Sequence, residues 1–291
     1  MGLLRFNYRS QVLGYYVDIS IAYPTDGLSY FEEKDVRSAS ENPVMPKSQG
    51  TYRPGMKFQT IYLIHGGGDD DSLVFRYTNI ERYAQKNRVM LVAPSIPNSM
   101  GVDALYGVKY MTFLTDELPV VVQSLFASSS KREDNFVMGY AMGANVALGM
   151  AVMHPELYQA CVDLSGGIGM TLCTQTLVDE LNGDHFRNFM PRYNASFGEG
   201  GAFPGSPMDL YPIAKRYKEE GRELCDFFIL CGEKEFIRDR VEGDVRVLKE
   251  LGYNVQYFCP EGYDHNFDNW DKFLGVALDE WLPLKREIVW E

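Results

Sequence analysis

The sequence predicts an α/β fold: a mostly parallel sheet with helices on both faces and one inserted, lid-like segment. Three observations predict it. Apolar runs of strand character alternate with amphipathic helical segments along most of the chain, and that alternation builds βαβ units around a parallel sheet. The 291 residues, 45% hydrophobic and 23% charged, have a globular composition and suffice for one large domain. A frame of two glycines, Gly139-Tyr140-Ala141-Met142-Gly143, joins a strand-like run to a helix-like run. The expected organisation is a single domain over 1–291 with an insertion at 166–212.

In order, Gly14–Tyr23 and Phe58–Ile64 read as strands. Thr78–Lys86 reads as a helix, because Ile80, Tyr83 and Ala84 share one face. Val89–Ala93 is a short apolar strand. Thr115–Phe126 is helical, with Asp116 and Glu117 in its first turn and Leu118, Val121, Val122 and Leu125 inward. Asn135–Met138 is a strand, and Ala144–His154 a helix ended by Pro155. Ala160–Leu164 and Phe227–Cys231 are strands. Val241–Leu251 is a helix stopped by Gly252, Val255–Cys259 a strand, and Asn269–Trp281 the last helix. Tyr30–Met56 is polar and rich in Pro and Ser, so it reads as a long loop. Gly166–Pro212 carries several Gly and Pro with Phe186, Phe189, Tyr193, Phe197 and Phe203, the composition of a lid or binding region.

Composition excludes several classes of function. Lys and Arg number 28 against 40 Asp and Glu, a net charge of −12, and that field disfavours nucleic acid. No apolar run reaches the length of a membrane span. Five cysteines without a C-x-x-C pair argue against a disulfide framework. Cys161, Cys225, Cys231 and Cys259 sit in or beside apolar runs, where reduced cysteine acts as a small core residue. The N-terminal stretch lacks the apolar core of a signal peptide. A cytoplasmic location is therefore expected, and a removed signal peptide would leave the same sequence.

The chemistry concentrates around Ala141. Strand, tight turn and helix with glycines at Gly139 and Gly143 form the frame of the nucleophile elbow, G-x-S-x-G, with alanine at its centre. Strand Ile61–Ile64 runs into His65-Gly66-Gly67-Gly68, an HGGG-type loop of the kind that offers a backbone N–H to a developing oxyanion. No Gly-Lys-Ser/Thr follows, which excludes a phosphate loop. Asp69-Asp70-Asp71 precede a helix and read as caps and a solvated face rather than a metal site. Of the four histidines, His154 closes a helix and His185 lies in the insertion, whereas His265 follows the last strand, where the base of a Ser…Asp/Glu…His order falls. The preceding strand runs into Gly232-Glu233-Lys234-Glu235, making Glu235 the candidate acid, with Asp239 and Glu233 behind it.

These parts in this order resemble the esterase D / tributyrin esterase group of α/β-hydrolases, which includes acetyl, feruloyl and cinnamoyl esterases. The resemblance rests on Leu63-Ile64-His65-Gly66-Gly67, Tyr77-Thr78-Asn79-Ile80-Glu81-Arg82, Leu118-Pro119, Arg132-Glu133-Asp134-Asn135-Phe136, the elbow, Leu164-Ser165-Gly166 and Cys231-Gly232, and spans roughly Phe58 to Trp281. It implies the α/β-hydrolase fold. It places Ala141 at the nucleophile position, His265 at the base and Glu235 where the family usually has aspartate. It puts Gly67 and Met142 at the oxyanion donors, with Gly66, Gly68 and Tyr140 lining the substrate site. Two departures stand out: Ala141 cannot attack, and Glu235 is one methylene longer than aspartate.

The function expected is that of a serine carboxylesterase acting on short-chain or hydroxycinnamoyl esters, present as an inactive nucleophile-to-alanine form. The alternatives are a natural pseudo-hydrolase that binds an acyl ligand, and an acyltransferase on the same machinery. No metal or organic cofactor is expected. The expected partner is a small-molecule ester, with no nucleic acid and no membrane. Self-association is left open.

Overall fold

The computed structural model describes residues 1–25, 54–167, 195–196 and 209–290. Strands β1 (Gly2–Arg9) and β2 (Tyr16–Tyr23) form an antiparallel hairpin, and β2 pairs antiparallel with β5 (Met90–Pro94). From there every neighbour is parallel: β4 (Thr60–Ile64), β6 (Asn135–Tyr140), β7 (Ala160–Leu164), β8 (Asp226–Leu230) and β9 (Val255–Phe258). The eight-stranded order is β1-β2-β5-β4-β6-β7-β8-β9. The short β3 (Met56–Lys57) pairs with β10 (Val289–Trp290) away from this sheet.

Strands β4 to β7 are buried along their whole length, as sheets covered on both faces require. Period-two alternation divides their side chains into two cores. Tyr62, Ile64, Val137, Cys161, Phe227 and Ile229 face one; Ile61, Leu63, Phe136, Met138, Val162, Phe228 and Leu230 face the other. Among the described residues, the α-helices longer than one turn are α1 (Leu73–Tyr77), α2 (Ile80–Asn87), α3 (Leu118–Leu125), α4 (Met142–Met153), α5 (Leu210–Glu219), α6 (Arg238–Glu250) and α7 (Phe267–Val276). Helix α4, between β6 and β7, is buried from Gly143 to Val152, because Ala, Val, Leu and Met cover it on every side. It is the spine on which the candidate site is mounted.

Several features differ from the sequence reading, which also lacks the short α1, β3 and β10. β1 escapes it because the strand lies at the sheet edge and is half exposed; what fixes it is Phe6 and Tyr8 stacked at 5.1 Å and Phe6 set edge-on to Phe126. Helix α5 occupies the end of the expected 166–212 insertion. Asp209 caps it by accepting from the Tyr211 N–H, and Pro212 falls in the first turn, where a missing N–H costs nothing. Cys259, expected in the core, is exposed, because β9 is the edge strand. A five-residue π turn, Phe113–Glu117, also leads into α3, just before Pro119, whose nitrogen has no hydrogen for the preceding turn. Phe186, Phe189, Tyr193, Phe197, Phe203, His185 and Cys173 lie outside the described residues, as does most of Tyr30–Met56. Among the described residues, no helix is long and apolar enough to cross a membrane.

Candidate active site

The carboxyl ends of β4, β6, β7, β8 and β9 open on one edge of the sheet, and the chain leaves them at His65, Ala141, Ser165, Cys231 and Cys259. That edge is where parallel α/β sheets collect function. His65 to Gly68, Ala141, Met142, Glu235 and His265 lie on these exits or in the loops that follow them, with Tyr140 the last residue of β6.

Ala141 stands between β6 and α4 with φ 50° and ψ −123°. A residue with a Cβ adopts such a conformation at a cost of about 1–3 kcal/mol, and only where its surroundings impose it. The surroundings are visible. The Ala141 N–H donates to the Leu164 carbonyl at 2.9 Å, and its own carbonyl accepts from the Ala144 N–H at 3.1 Å. The flanking glycines are forced by contact rather than by φ. A Cβ on Gly139 would lie 2.1 Å from the Gly143 carbonyl oxygen, and one on Gly143 would lie 2.2 Å from that of Ile64 and 2.4 Å from that of His65. The helix therefore starts pressed against the end of β4. That contact brings the glycine loop beside the elbow: a Cβ on Gly67 would be 3.8 Å from the Met142 Cβ. Met142 is the first residue of α4, so its N–H has no acceptor within the helix. Among the described residues, none accepts from the Gly67 N–H either.

The glycine loop is fastened from below. The Ile96 N–H donates to His65 Nε2 at 2.9 Å, so Nδ1 carries the proton and donates to the Gly66 carbonyl at 2.8 Å. Burial lowers the His65 pKa and keeps this ring neutral. Gly68 is held by its N–H on Asn98 Oδ1 at 2.7 Å. Gly66 is buried against the Tyr140 ring. Tyr140 is itself fully buried, and its hydroxyl donates to Asp69 at 2.9 Å. Burial, then the Asp69 charge, pushes the Tyr140 hydroxyl pKa up. Asp70 accepts from the Ser72 N–H and hydroxyl, and Asp71 from the Ser20 hydroxyl and Arg5. Among the described residues, no cluster of His, Cys, Asp or Glu is arranged to hold a metal ion.

On the other side of the site, His265 Nδ1 and Glu235 Oε2 are 2.8 Å apart. The Glu235 side chain is wholly buried, that of His265 22% exposed. Three further donors converge on Glu235 Oε1: the Ser165 hydroxyl at 2.7 Å, the Gly232 N–H at 2.7 Å and the Asn269 amide at 2.9 Å. The longer side chain of glutamate is taken up in a turn, closed by the Glu235 N–H on the Gly232 carbonyl at 3.1 Å, that folds the carboxylate back onto Gly232. Asp239 and Glu233 are exposed, and Glu233 accepts from the Gly262 N–H instead. His154 pairs with Glu156 at the end of α4, remote from these groups.

Sequence reasoning missed three contributors. Ser165, at φ 69°, is fully buried and accepts from the Trp270 indole N–H at 3.1 Å while donating to Glu235. Trp270 meets the His265 ring edge-to-face at 4.9 Å and the Tyr140 ring at 5.1 Å, so one indole spans from His265 to the residue before Ala141. Asn269 and Trp270 open α7, whose cap is Asn266 accepting from the Asn269 N–H. Beneath them, burial raises the Asp163 carboxyl to about 7, with Asp244 and Glu235 adding to the shift and the Gly166 N–H opposing it.

The chain matches the family model described as "Putative esterase" over residues 44–175. It is 24% identical over 288 residues to an acetyl esterase of Caldicellulosiruptor saccharolyticus, covering 97% of this chain and 98% of that protein. A substrate-bound fluorophosphonate-binding serine hydrolase of Staphylococcus aureus superposes with a TM-score of 0.76 at 22% identity, over 95% of this chain and 96% of the other. A serine-to-alanine mutant of the feruloyl esterase module of Clostridium thermocellum, complexed with sinapinate, superposes with a TM-score of 0.62 at 14% identity, over 98% and 89%. The sheet order and these superpositions establish the α/β-hydrolase fold.

Proposed function

We propose that the chain is an esterase of the α/β-hydrolase type, like the family model and the acetyl esterase it matches, and that its site is built to hydrolyse carboxylic esters of short-chain or hydroxycinnamoyl acids through an acyl-serine, carried here with alanine at the nucleophile position. One observation carries the reading. The strained backbone at Ala141 is held in place although its methyl group gains nothing from it, while the His265–Glu235 pair remains assembled across the same sheet edge.

With a hydroxymethyl group at position 141, the steps follow from the groups present. The hydroxyl oxygen attacks the ester carbonyl carbon and its proton passes to His265. Glu235 can only accept, so Nδ1 of His265 carries the shared hydrogen, leaving Nε2 as the basic nitrogen. The new oxyanion takes hydrogen bonds from the Gly67 and Met142 N–H groups. The tetrahedral intermediate collapses, the C–O bond to the alcohol breaks, and the alcohol leaves with the proton from His265. Water then repeats the sequence on the acyl-serine, with His265 as base and then acid, and releases the carboxylic acid. Glu235 fixes the imidazole tautomer and stabilises its cation. With Ala141 in place the ester is bound and oriented but not attacked. The short-chain and aromatic acyl classes are suggested by the acetyl and feruloyl esterases it resembles.

Ala141→Ser tests this. The variant is expected to hydrolyse at least one of acetyl, butyryl and feruloyl esters with turnover about 10⁶-fold above the parent chain, the usual worth of the nucleophile. A folded Ala141→Ser protein inert across that panel would leave a binding protein without latent catalysis. Transfer to an added alcohol in preference to water would make it an acyltransferase.

A further inference from the structure

Cys231 and Cys259 occupy facing positions on neighbouring strands. β8 and β9 pair Leu230 with Phe258 as Cα partners, so the next step along both chains brings Cys231 level with Cys259. Hydrogen bonds hold the chains together on either side: the Cys231 N–H donates to the Phe258 carbonyl at 3.1 Å and the Glu233 N–H to the Pro260 carbonyl at 3.0 Å. The regular ladder ends between them because Pro260 has no N–H to give to the Cys231 carbonyl. Neighbouring strands lie about 4.7–4.9 Å apart, within the roughly 4.4–6.8 Å between Cα atoms that a disulfide spans.

The side chains also share a face. Phe227, Ile229 and Cys231 belong to one core, Val255 and Tyr257 pack against that same core, and Phe258 faces the other. Alternation then puts Cys259 on the Cys231 side. Cys231 lies within electrostatic reach of Cys259 and of the Glu235 carboxylate, which also accepts a hydrogen bond from it. Cys259 is exposed, with Arg238 within electrostatic reach and Tyr257 beside it.

We propose that Cys231 and Cys259 form a redox modification site, oxidised to a disulfide by a low-molecular-weight disulfide such as glutathione disulfide, and that the cross-link loosens Glu235 from His265. The steps balance. The Cys259 thiolate attacks one sulfur of the oxidant, forming a mixed disulfide and releasing one thiol. Cys231 gives its proton to solvent, and its thiolate attacks the Cys259 sulfur, releasing the second thiol. Two protein thiols lose two electrons and two protons, and the oxidant is reduced to two thiols. The second step is slow, because burial, followed by Glu235, raises the Cys231 thiol. Facing side chains on parallel strands must close in to reach bonding distance, so the disulfide is strained and readily reduced. Its consequence is local: Cys231 adjoins Gly232, whose N–H holds Glu235, and Gly232 is wedged under Tyr263, where a Cβ would lie 2.5 Å from the carbonyl oxygen.

The inference rests on this packing and not on ester hydrolysis, so the test uses the chain as it stands. It is incubated with excess glutathione disulfide, quenched in acid, alkylated while denatured and digested without reduction. Mass spectrometry is expected to find a peptide linking Cys231 to Cys259. In parallel, the downfield NMR resonance of the His265 Nδ1 hydrogen, the signature of its hydrogen bond to Glu235 at 2.8 Å, is expected to disappear on oxidation. Cys259→Ser, a change at an exposed position, is expected to abolish both responses. A glutathione adduct on Cys259 with Cys231 still alkylated would overturn the site. A linked peptide with the His265 Nδ1 hydrogen resonance unchanged would overturn its coupling to Glu235.

Discussion

The two sides of the candidate site are held by different forces. On the elbow side, the conformation of Ala141 is imposed by backbone contacts: β6 and α4 meet through Gly139 and Gly143, α4 presses on the Ile64 and His65 carbonyls, and Leu164 takes the Ala141 N–H. None of these contacts uses the side chain at position 141. On the other side, Glu235 and His265 are held by side chains, with Ser165, Asn269 and Trp270 around them and, among the described residues, Gly232 as the one backbone donor to the carboxylate. The elbow geometry therefore does not depend on which side chain stands at position 141, whereas the Glu235 carboxylate depends on the side chains around it.

Three substitutions sharpen that contrast. The largest effect is expected from Glu235→Gln in the Ala141→Ser background, where the amide cannot accept from all four donors. Turnover is expected to fall about 10⁴-fold, with Asp239→Asn close to unchanged because Asp239 is exposed. Ester kinetics on the two variants decide it, and the reverse ranking would transfer the acid to Asp239. Next is Gly143→Ala, made in the chain as it stands. Its methyl group meets backbone oxygen, which cannot rotate away, and unfolding by denaturant should show a loss of about 3 kcal/mol. Stability equal to the parent would mean that the elbow is not set by this contact. The smallest is Ser165→Ala in the Ala141→Ser background. Glu235 keeps Gly232 and Asn269 but loses one donor, and the Trp270 N–H loses its acceptor. A fall in kcat of about 10-fold with KM unchanged is expected, since one hydrogen bond to a charged group is worth about 1.5–3 kcal/mol. A change confined to KM would place Ser165 in substrate binding.

The elbow side was legible in the sequence because it is local. Five consecutive residues, Gly139 to Gly143, encode the frame, and the strand before and helix after them follow from short apolar patterns. The place of His265, the proposed base, followed from chain order, since it lies beyond the last parallel strand of the sheet. Glu235 could be ranked above Asp239 and Glu233 only by its place along the chain; their exposure, which separates them physically, depends on how the turn folds back onto Gly232. Ser165 entered only as part of the Leu164-Ser165-Gly166 match, and Asn269 and Trp270 gave no signal, since 105 positions separate Ser165 from Trp270 and only the folded sheet brings them together. β1 and α5 were missed for opposite reasons: an edge strand has little apolar pattern to show, and Pro212 masks a helix that begins just before it.

The most direct test of the central claim, a hydrolase site complete but for one hydroxyl, is covalent labelling by a fluorophosphonate. The reagent needs an activated serine, an oxyanion site and a working base at once, but no knowledge of the natural ester. The account predicts that Ala141→Ser is labelled once per chain, on the peptide containing Gly139 and Gly143, that Glu235→Gln in the same background slows the labelling sharply, and that the Ala141 chain is not labelled. A folded Ala141→Ser protein that stays unlabelled, or one labelled at Ser165 instead, would contradict it.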